Sequence, residues 1–180
     1  MSEPVLIVYA TRYGSTKEVA EKIGQIFIQS GIDVDVLACK KVDTLEQYQL
    51  IVIGAPYYIG SMLKEAKKFL IKNQNILSRK QVAFFALGPI GSTEKELTET
   101  QNQLDHELKQ FPWFNPISTV MFGGKYEPDK LHFLDKFLTV PPASPLHNLA
   151  ANDARNWDEI KAWAENLSSS LQTADNPSVH

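Results

Sequence analysis

Hydroxyl side chains cluster around a single glycine in the stretch YATRYGST, residues 9–16. An apolar run precedes this cluster, and helical periodicity begins directly after it. A loop that leaves a strand and enters a helix presents unpaired backbone N–H groups and a partial positive charge to an anion. Thr11, Ser15 and Thr16 add hydroxyl donors, and Gly14 lets the backbone curl inward. The stretch therefore predicts a phosphate cradle.

The residue types that are absent from this loop indicate which kind of phosphate group it could bind. It has no Gly-Lys-Ser/Thr sequence, which nucleoside triphosphate loops require, and its one glycine does not make the three-glycine dinucleotide motif. A terminal monophosphate is the remaining prediction. Two alternatives stay open: Arg12 either supplies positive charge or points into solvent, and the whole loop is either a ligand site or a capped helix start.

Two further glycine-containing loops, GAPYYIGS and LGPIGST, follow later apolar strands. Their glycines allow main-chain groups to approach a planar heterocycle, and a tyrosine can stack on such a ring. Tyr57 and Tyr58 are the candidates, and the alternative is a pair of half-buried aromatic residues on a loop. The glycines are Gly54, Gly60, Gly88 and Gly91.

Apolar runs alternate with helix-period segments along the chain, which predicts βαβ units on a parallel sheet. Continuous apolar runs at 5–10, 50–55 and 82–87 indicate central strands, whereas the alternation at Ile32, Val34 and Val36 indicates an edge strand. These features predict a three-layer, doubly wound, five-stranded parallel sheet of order 2-1-3-4-5, with the fifth strand ending at Phe122. Helices are expected to begin at Ser15, Met62, Glu94 and Trp157.

Two helix starts carry capping-box patterns. Thr93 is followed three residues later by Glu96, and Asn156 by Glu159, each before an apolar-periodic segment. These patterns predict that each side chain caps its helix.

Composition predicts one domain, residues 1–172, with a flexible tail at 173–180. The net charge of −3 comes from interspersed charges without a basic block, so nucleic acid is not an expected partner. Cys39 is the only cysteine, which excludes an intrachain disulfide and a thiolate metal site within one chain. No membrane span or signal peptide is recognisable, and we expect a cytoplasmic protein.

One segment, residues 125–156, is too long for an ordinary connection in such a fold. Its sequence DKLHFLDKFL predicts a short helix with Leu131, Leu134 and Leu138 on one side, and the breaker VPPASP follows. We call residues 125–156 the connector. It either selects a substrate or covers an apolar sheet edge. No catalytic side chain is predicted, because the histidines are expected to be solvent-exposed: His106, His132 and His147.

The stretches YATRYGSTKEVAEKI, GAPYYIGSMLKEAKKFL and FFALGP resemble the three flavin-contacting loops of flavodoxin-domain proteins. In addition, GGKYEPDKLHFLDKF and ARNWDEIKAWAENL are similar to the C-terminal part of the flavodoxin-like, menaquinone-dependent protoporphyrinogen dehydrogenases and their relatives. The resemblance covers nearly the whole chain and includes the place of the connector after the fifth strand.

This resemblance implies that the chain binds FMN. Its partners would be a small redox substrate, a quinone or a redox protein, with contact to a membrane surface also consistent with the family. The residues implied for the phosphate are Thr11, Arg12, Tyr13, Gly14, Ser15 and Thr16. Those implied for the ring are Pro56, Tyr57, Tyr58, Ile59, Gly60, Leu87, Gly88, Pro89, Ile90 and Gly91.

Several functions are compatible with this sequence. The leading hypothesis is an FMN-dependent oxidoreductase that moves electrons between a small organic donor, such as a protoporphyrinogen, and an acceptor such as a quinone. The alternative is a flavodoxin-type electron carrier without a substrate of its own. A phosphoacceptor signalling domain is disfavoured, because Tyr9, Ala10 and Thr11 stand where that class needs acidic residues. A cofactor-free interaction module is the remaining hypothesis.

Overall fold

The computed structural model describes residues 3–58, 60–91, 93–130 and 150–175. Ile59 and residues 131–149, which include most of the predicted connector helix together with His132 and His147, lie outside the described residues. Short 3₁₀ turns cover Cys39–Lys41 and Pro128–Lys130. In chain order the other elements are β1 Val5–Tyr9, α1 Ser15–Gln29, β2 Val34–Ala38, β3 Leu50–Tyr58, β4 Ser61–Met62, α2 Lys64–Lys72, α3 Gln74–Leu77, β5 Gln81–Leu87, α4 Glu94–Leu108, β6 Ser118–Phe122, β7 Lys125–Tyr126, β8 Asn152–Asp153 and α5 Trp157–Asp175.

Five parallel strands form the main sheet in the order β2-β1-β3-β5-β6, which confirms the predicted order 2-1-3-4-5. The continuously apolar strands β1, β3 and β5 occupy the centre, where both faces are covered. The alternating strand β2 lies at one edge, and β6 lies at the other. The direction in which strands are added to the sheet therefore reverses between β1 and β3, and this creates a topological switch point at the carboxyl ends of these two strands.

Helices cover the sheet on both sides. Val5 and Ile7 of β1 pack into a core with α1 and α5, whereas Leu6 and Val8 pack into a second core with α2 and α4. Successive side chains of a strand point to opposite faces, so a continuous apolar run supplies both cores at once. Each fully buried aliphatic side chain contributes about 1.5–3 kcal/mol, which makes β1 a major source of stability.

The third strand is longer than the sequence predicted. It continues from Leu50 to Tyr58 and then folds back, because β4 pairs antiparallel with it: Tyr57 lies opposite Met62, and Tyr58 opposite Ser61. Aromatic residues favour extended backbone, which extends the strand beyond its aliphatic run. As a consequence, α2 begins at Lys64 rather than at the predicted Met62.

The predicted caps are confirmed at two helices. Thr93 Oγ1 accepts from the Glu96 N–H at 3.3 Å, and Asn156 Oδ1 accepts from the Glu159 N–H at 3.3 Å. Helix α5 continues to Asp175, whereas we expected a flexible tail from residue 173. Within the described ranges, no helix combines the length and the apolar character that crossing a bilayer requires.

Candidate functional site

Pairing between neighbouring strands places three loops at one edge of the sheet. Tyr9 is paired with Gly54, Pro56 with Leu87, and Leu87 with Phe122. Because these strands are parallel, the segments that follow β1, β3 and β5 leave the sheet side by side at its carboxyl edge. The candidate segments 11–16, 56–60 and 87–91 therefore meet there, apart from Ile59, which the structure does not describe.

The first of these loops turns into α1 at Gly14. This residue has φ +94°, a left-handed conformation that costs glycine little. Its N–H donates to Thr11 Oγ1 at 3.0 Å, so the Thr11 hydroxyl proton can still be donated to a ligand. Gly14 is also the N-cap of α1 and brings no side chain to cap the first-turn amides. The ligand-free interpretation predicted a Ser or Thr N-cap, and this prediction is wrong for α1.

Two hydroxyl residues in the first turn of α1 are buried. Ser15 is 6% exposed and Thr16 is fully buried, and the Thr16 Oγ1 atom has no hydrogen-bond partner among the described residues. A buried hydroxyl without a partner costs about 1–3 kcal/mol. An oxygen anion at this helix start would provide the missing acceptor, and the first-turn amides would add donors. A terminal phosphate group therefore fits this loop.

Arg12 and Tyr13 lie on the outer side of the same loop. Arg12 is exposed, and its guanidinium carbon lies 5.8 Å from the centre of the half-buried Tyr13 ring. A guanidinium at this distance is attracted by an aromatic face. The Arg12 side chain thus lies at the protein surface, and its role in supplying charge to a ligand stays a prediction.

The second loop is a tight hairpin between β3 and β4. Gly60 has φ +71° in its turn, and Tyr58 is half-buried beside it. Pro56 and Tyr57 belong to strand β3 and not to a loop, and the Tyr57 side chain is only 4% exposed within the core. The alternative interpretation, a pair of half-buried aromatic residues on a loop, is therefore wrong for Tyr57. Of the two tyrosines, Tyr58 is the one that is partly exposed at this edge, and its contact with a ring stays a prediction.

A buried carboxylate that the sequence did not predict holds this hairpin. Glu107 of α4 is 5% exposed and accepts from the Met62 N–H at 2.9 Å and from Ser61 Oγ at 3.0 Å. Its Oε1 atom also forms an ion pair with Lys67 of α2, whose Nζ donates to Ser61 Oγ at 2.8 Å. Hydrogen bonds to a charged group contribute about 1.5–3 kcal/mol each. The carboxylate therefore fixes the strand that returns from the candidate ring loop.

A signal for Glu107 was present but weak. The residue stands beside Leu104 and Leu108 on the apolar stripe of α4, where an acidic side chain is unusual unless it is paired. The same carboxylate acts on Tyr57, whose pKa is raised by burial of the phenol and by the Glu107 charge. The Tyr57 hydroxyl is buried and has no partner among the described residues.

An open cleft of about 570 Å³ lies over this cluster, between α2 and α4. Gly60, Ser61 and Lys67 line one side, and His106 of α4 lines the other. His106 is exposed, in agreement with the sequence-based expectation. The cleft therefore begins at the candidate ring loop and runs along a polar helix face.

The third loop follows β5 and is fixed by its neighbours. Leu87 is buried, and the Gly88 N–H donates to the Phe122 carbonyl at 2.9 Å. The Pro89 carbonyl accepts from the Gly124 N–H at 2.8 Å. A Cβ on Gly88 would lie 2.3 Å from the Met121 sulfur, so a larger residue here would require the Met121 side chain to move. Ile90 and Gly91 are half-buried and continue along the edge of the site.

Comparison with known proteins agrees with this fold. The model of the flavodoxin domain family matches residues 6–139. The protoporphyrinogen IX dehydrogenase [quinone] of Escherichia coli strain K12 is 22% identical over 135 residues, which are 74% of this chain and 75% of that protein.

Solved structures share the fold. A flavodoxin from the domain Archaea superimposes with a TM-score of 0.55 at 17% identity, over 94% of this chain and 99% of that one. The rubredoxin oxygen:oxidoreductase of Desulfovibrio gigas superimposes with a TM-score of 0.60 at 15% identity, over 96% of this chain and 37% of that one. With the family model covering most of the sequence, this chain belongs to the flavodoxin domain family.

Proposed function

We propose that this chain binds FMN at the carboxyl edge of its sheet and acts as an oxidoreductase. The observation that carries the proposal is the start of α1, where a left-handed Gly14 exposes the first-turn amides beside the unpartnered Thr16 hydroxyl. Membership of the flavodoxin domain family supports the same cofactor.

The phosphate would be held by the first loop, residues 11–16. Thr11, Ser15 and Thr16 supply hydroxyl groups, and the first turn supplies N–H donors without the lysine that triphosphate loops use. Each hydrogen bond to a charged oxygen contributes about 1.5–3 kcal/mol, so several of them suffice for firm retention. The role of this loop is to bind and orient, not to react.

The ring would lie between the second and third loops. Tyr58 offers an aromatic face, and the main chain around Gly60 and Gly88 offers polar groups at the ring edge. When bound, FMN supplies the electron-transfer chemistry. The protein's own contribution is to position the ring and to limit the approach of water, since Pro56, Leu87 and Gly88 are buried.

The finer proposal is a quinone-linked dehydrogenase of a small organic substrate. It rests on the similarity to a protein named protoporphyrinogen IX dehydrogenase [quinone], which extends over 74% of this chain. No side chain near the candidate ring site is required as an acid or base, so the substrate would react directly with the cofactor.

The alternative is an electron carrier that exchanges electrons with a redox protein. It is favoured by the fold, because the archaeal flavodoxin is covered almost end to end. The mild net charge of −3 does not favour it, since docking to a basic partner benefits from a strongly acidic face.

The decisive experiment begins with the visible absorption spectrum of the purified protein and a titration of apoprotein with FMN. We expect a flavin spectrum and saturable binding of one FMN per chain. Absence of binding would eliminate both functions. Two assays distinguish the functions: steady-state reduction of a soluble quinone with a chemical or enzymatic electron donor, and oxidation of protoporphyrinogen with the quinone as acceptor. Turnover supports the dehydrogenase, whereas rapid reduction of the bound flavin by the donor without substrate turnover supports the carrier.

A further inference from the structure

A buried arginine from the end of the connector lies against the start of α1. The Arg155 side chain is only 2% exposed, although its residue follows the exposed two-residue strand β8. Its Nε and NH2 groups form a bidentate pair with Asp153, at 2.8 and 2.6 Å. Its NH1 group donates to Glu18 Oε2 at 2.8 Å and reaches the Ser15 carbonyl at 3.4 Å. Arg155 therefore contacts the first turn of α1 directly.

A second cation from the other end of the connector reaches the same carboxylate. The Lys125 Nζ atom lies 3.7 Å from Glu18 Oε1, and its side chain is 18% exposed. Glu18 is thus bracketed by Arg155 on one oxygen and Lys125 on the other. The guanidinium also stacks on Trp157, with its carbon 4.6 Å from the ring centre. This stacking holds the Arg155 guanidinium in place in addition to its ion pairs.

The position of Glu18 explains why two cations next to its carboxylate matter for ligand binding. Glu18 is in the first turn of α1, and its N–H donates to the Gly14 carbonyl. A carboxylate near a helix N-terminus interacts favourably with the helix dipole, but it repels a phosphate that binds at the same terminus. Neutralising this carboxylate removes the competition while leaving the N–H donors of the helix unchanged.

The connector and the glycine that precedes it also contact the third loop. The Gly124 N–H donates to the Pro89 carbonyl at 2.8 Å, and the Asn152 side chain donates to the Ile90 carbonyl. A Cβ on Gly123 would lie 2.0 Å from the Ala154 carbonyl oxygen, so the chain just before the connector packs closely against the connector's C-terminal end. The small sheet of β7 and β8 therefore joins the phosphate loop to the ring-edge loop.

We propose that Arg155, assisted by Lys125, is a positioning residue for the phosphate: it neutralises Glu18 and fixes the first turn of α1, so that the connector ends control cofactor retention. This inference rests on the proposed function, since it concerns the phosphate of FMN. It assigns to the described ends of the connector a role in cofactor binding, which is separate from any role in substrate selection.

The test compares FMN with riboflavin, which carries the same ring but lacks the phosphate. Flavin fluorescence quenching would give both dissociation constants for the wild-type full chain and for Arg155→Met, Arg155→Lys, Glu18→Gln and the double variant Arg155→Met/Glu18→Gln. Arg79→Met is the matched control, because Arg79 is an exposed arginine paired with Glu46 before β5, at the opposite sheet edge.

We expect Arg155→Met to weaken FMN binding about tenfold and to leave riboflavin binding unchanged, because only the phosphate experiences the uncovered carboxylate. Arg155→Lys should retain part of the FMN affinity, since it keeps the charge. Glu18→Gln in the Arg155→Met background should restore FMN binding to near the wild-type value, and Arg79→Met should have no effect.

Two results would overturn the inference while leaving the proposed function intact. They are unchanged FMN affinity in Arg155→Met, and equal losses for FMN and riboflavin that Glu18→Gln does not rescue. If the wild-type chain binds no FMN, the proposed function itself fails. Should Arg155→Met not fold, Lys125→Met removes the second cation from Glu18 and must show a smaller phosphate-selective loss, because Arg155 stays paired with that carboxylate. Unchanged FMN affinity in Lys125→Met would then count against the inference.

Discussion

The two sides of the candidate site are built in different ways. On the phosphate side, a continuous six-residue segment supplies hydroxyl groups, a left-handed glycine and helix amides. On the ring side, the β3–β4 hairpin depends on Glu107, which comes from α4, 45 residues beyond Met62 in sequence. The first side is a local structure that a short sequence can specify alone. The second requires three elements to pack correctly before its carboxylate finds its partners.

This difference has a consequence for stability. On the phosphate side, the Thr16 hydroxyl has no partner among the residues that the structure describes, which carries an energetic cost that a bound ligand would offset. The ring side contains a satisfied ion pair and contributes to the folded state in the absence of ligand. Substitutions on the ring side should therefore change the free energy of unfolding, and those on the phosphate side should change flavin affinity.

The largest expected effect is that of Glu107→Ala. It leaves the Lys67 ammonium and the Met62 N–H without their partner, and breaking a largely buried ion pair costs about 3 kcal/mol. Urea unfolding of the apoprotein measures the loss. Glu46→Ala is the control, because both side chains of the Glu46–Arg79 pair are more than 60% exposed; it should cost less than about 1 kcal/mol. Equal losses in the two variants would contradict a special role for Glu107.

Gly14→Ala should affect both stability and flavin binding. A side chain at φ +94° costs about 1–2 kcal/mol, and relief of that strain would rotate the first-turn amides away from the phosphate. Gly31→Ala is a close control, since Gly31 has φ +78° at the far end of α1 and is equally uncrowded. Both variants should lose similar unfolding free energy, but only Gly14→Ala should bind FMN more weakly. Titration of both variants with FMN tests whether only Gly14→Ala binds the cofactor more weakly.

Thr16→Val should shift stability and affinity in opposite directions. Valine has nearly the shape of threonine without its hydroxyl, so the apoprotein should gain up to about 1 kcal/mol because an unpartnered polar atom is removed. FMN affinity should fall by about tenfold for one lost hydrogen bond to a charged oxygen, and riboflavin affinity should not change. Lower stability of the apoprotein together with unchanged FMN binding would show that the hydroxyl has a structural role only.

The smallest effect is expected for Tyr57→Phe, which should change stability but not flavin binding. At neutral pH it should stabilise the protein by up to about 1 kcal/mol, because it removes a buried phenol oxygen that has no partner among the described residues. Burial, followed by the Glu107 charge, raises the pKa of Tyr57 in the folded state above its unfolded value. This contribution to stability is complete below the unfolded pKa, near 10, and is lost as the pH rises through the folded pKa. Unfolding measured from pH 8 to 11 should show a fall above pH 10 that is smaller in Tyr57→Phe. An identical fall in both proteins would contradict this assignment.

The same contrast explains what the sequence could predict. The strand order followed from local composition, because central strands in such sheets are apolar on both faces and β2 alternates. The extension of β3 to Tyr58 did not follow, since it depends on pairing with β4. Glu107 and Arg155 were not predicted as site-supporting residues, because each acts through partners distant in sequence: Met62 for one, Glu18 for the other.

The central claim is that the first turn of α1 binds the phosphate of FMN. A crystal structure of the FMN complex tests it most directly. The account predicts the phosphate between Thr11 and Thr16, with Thr16 Oγ1 within hydrogen-bond distance of a phosphate oxygen and Tyr58 against the ring. Flavin bound elsewhere, or a first loop whose space is filled by protein atoms in the complex, would contradict it.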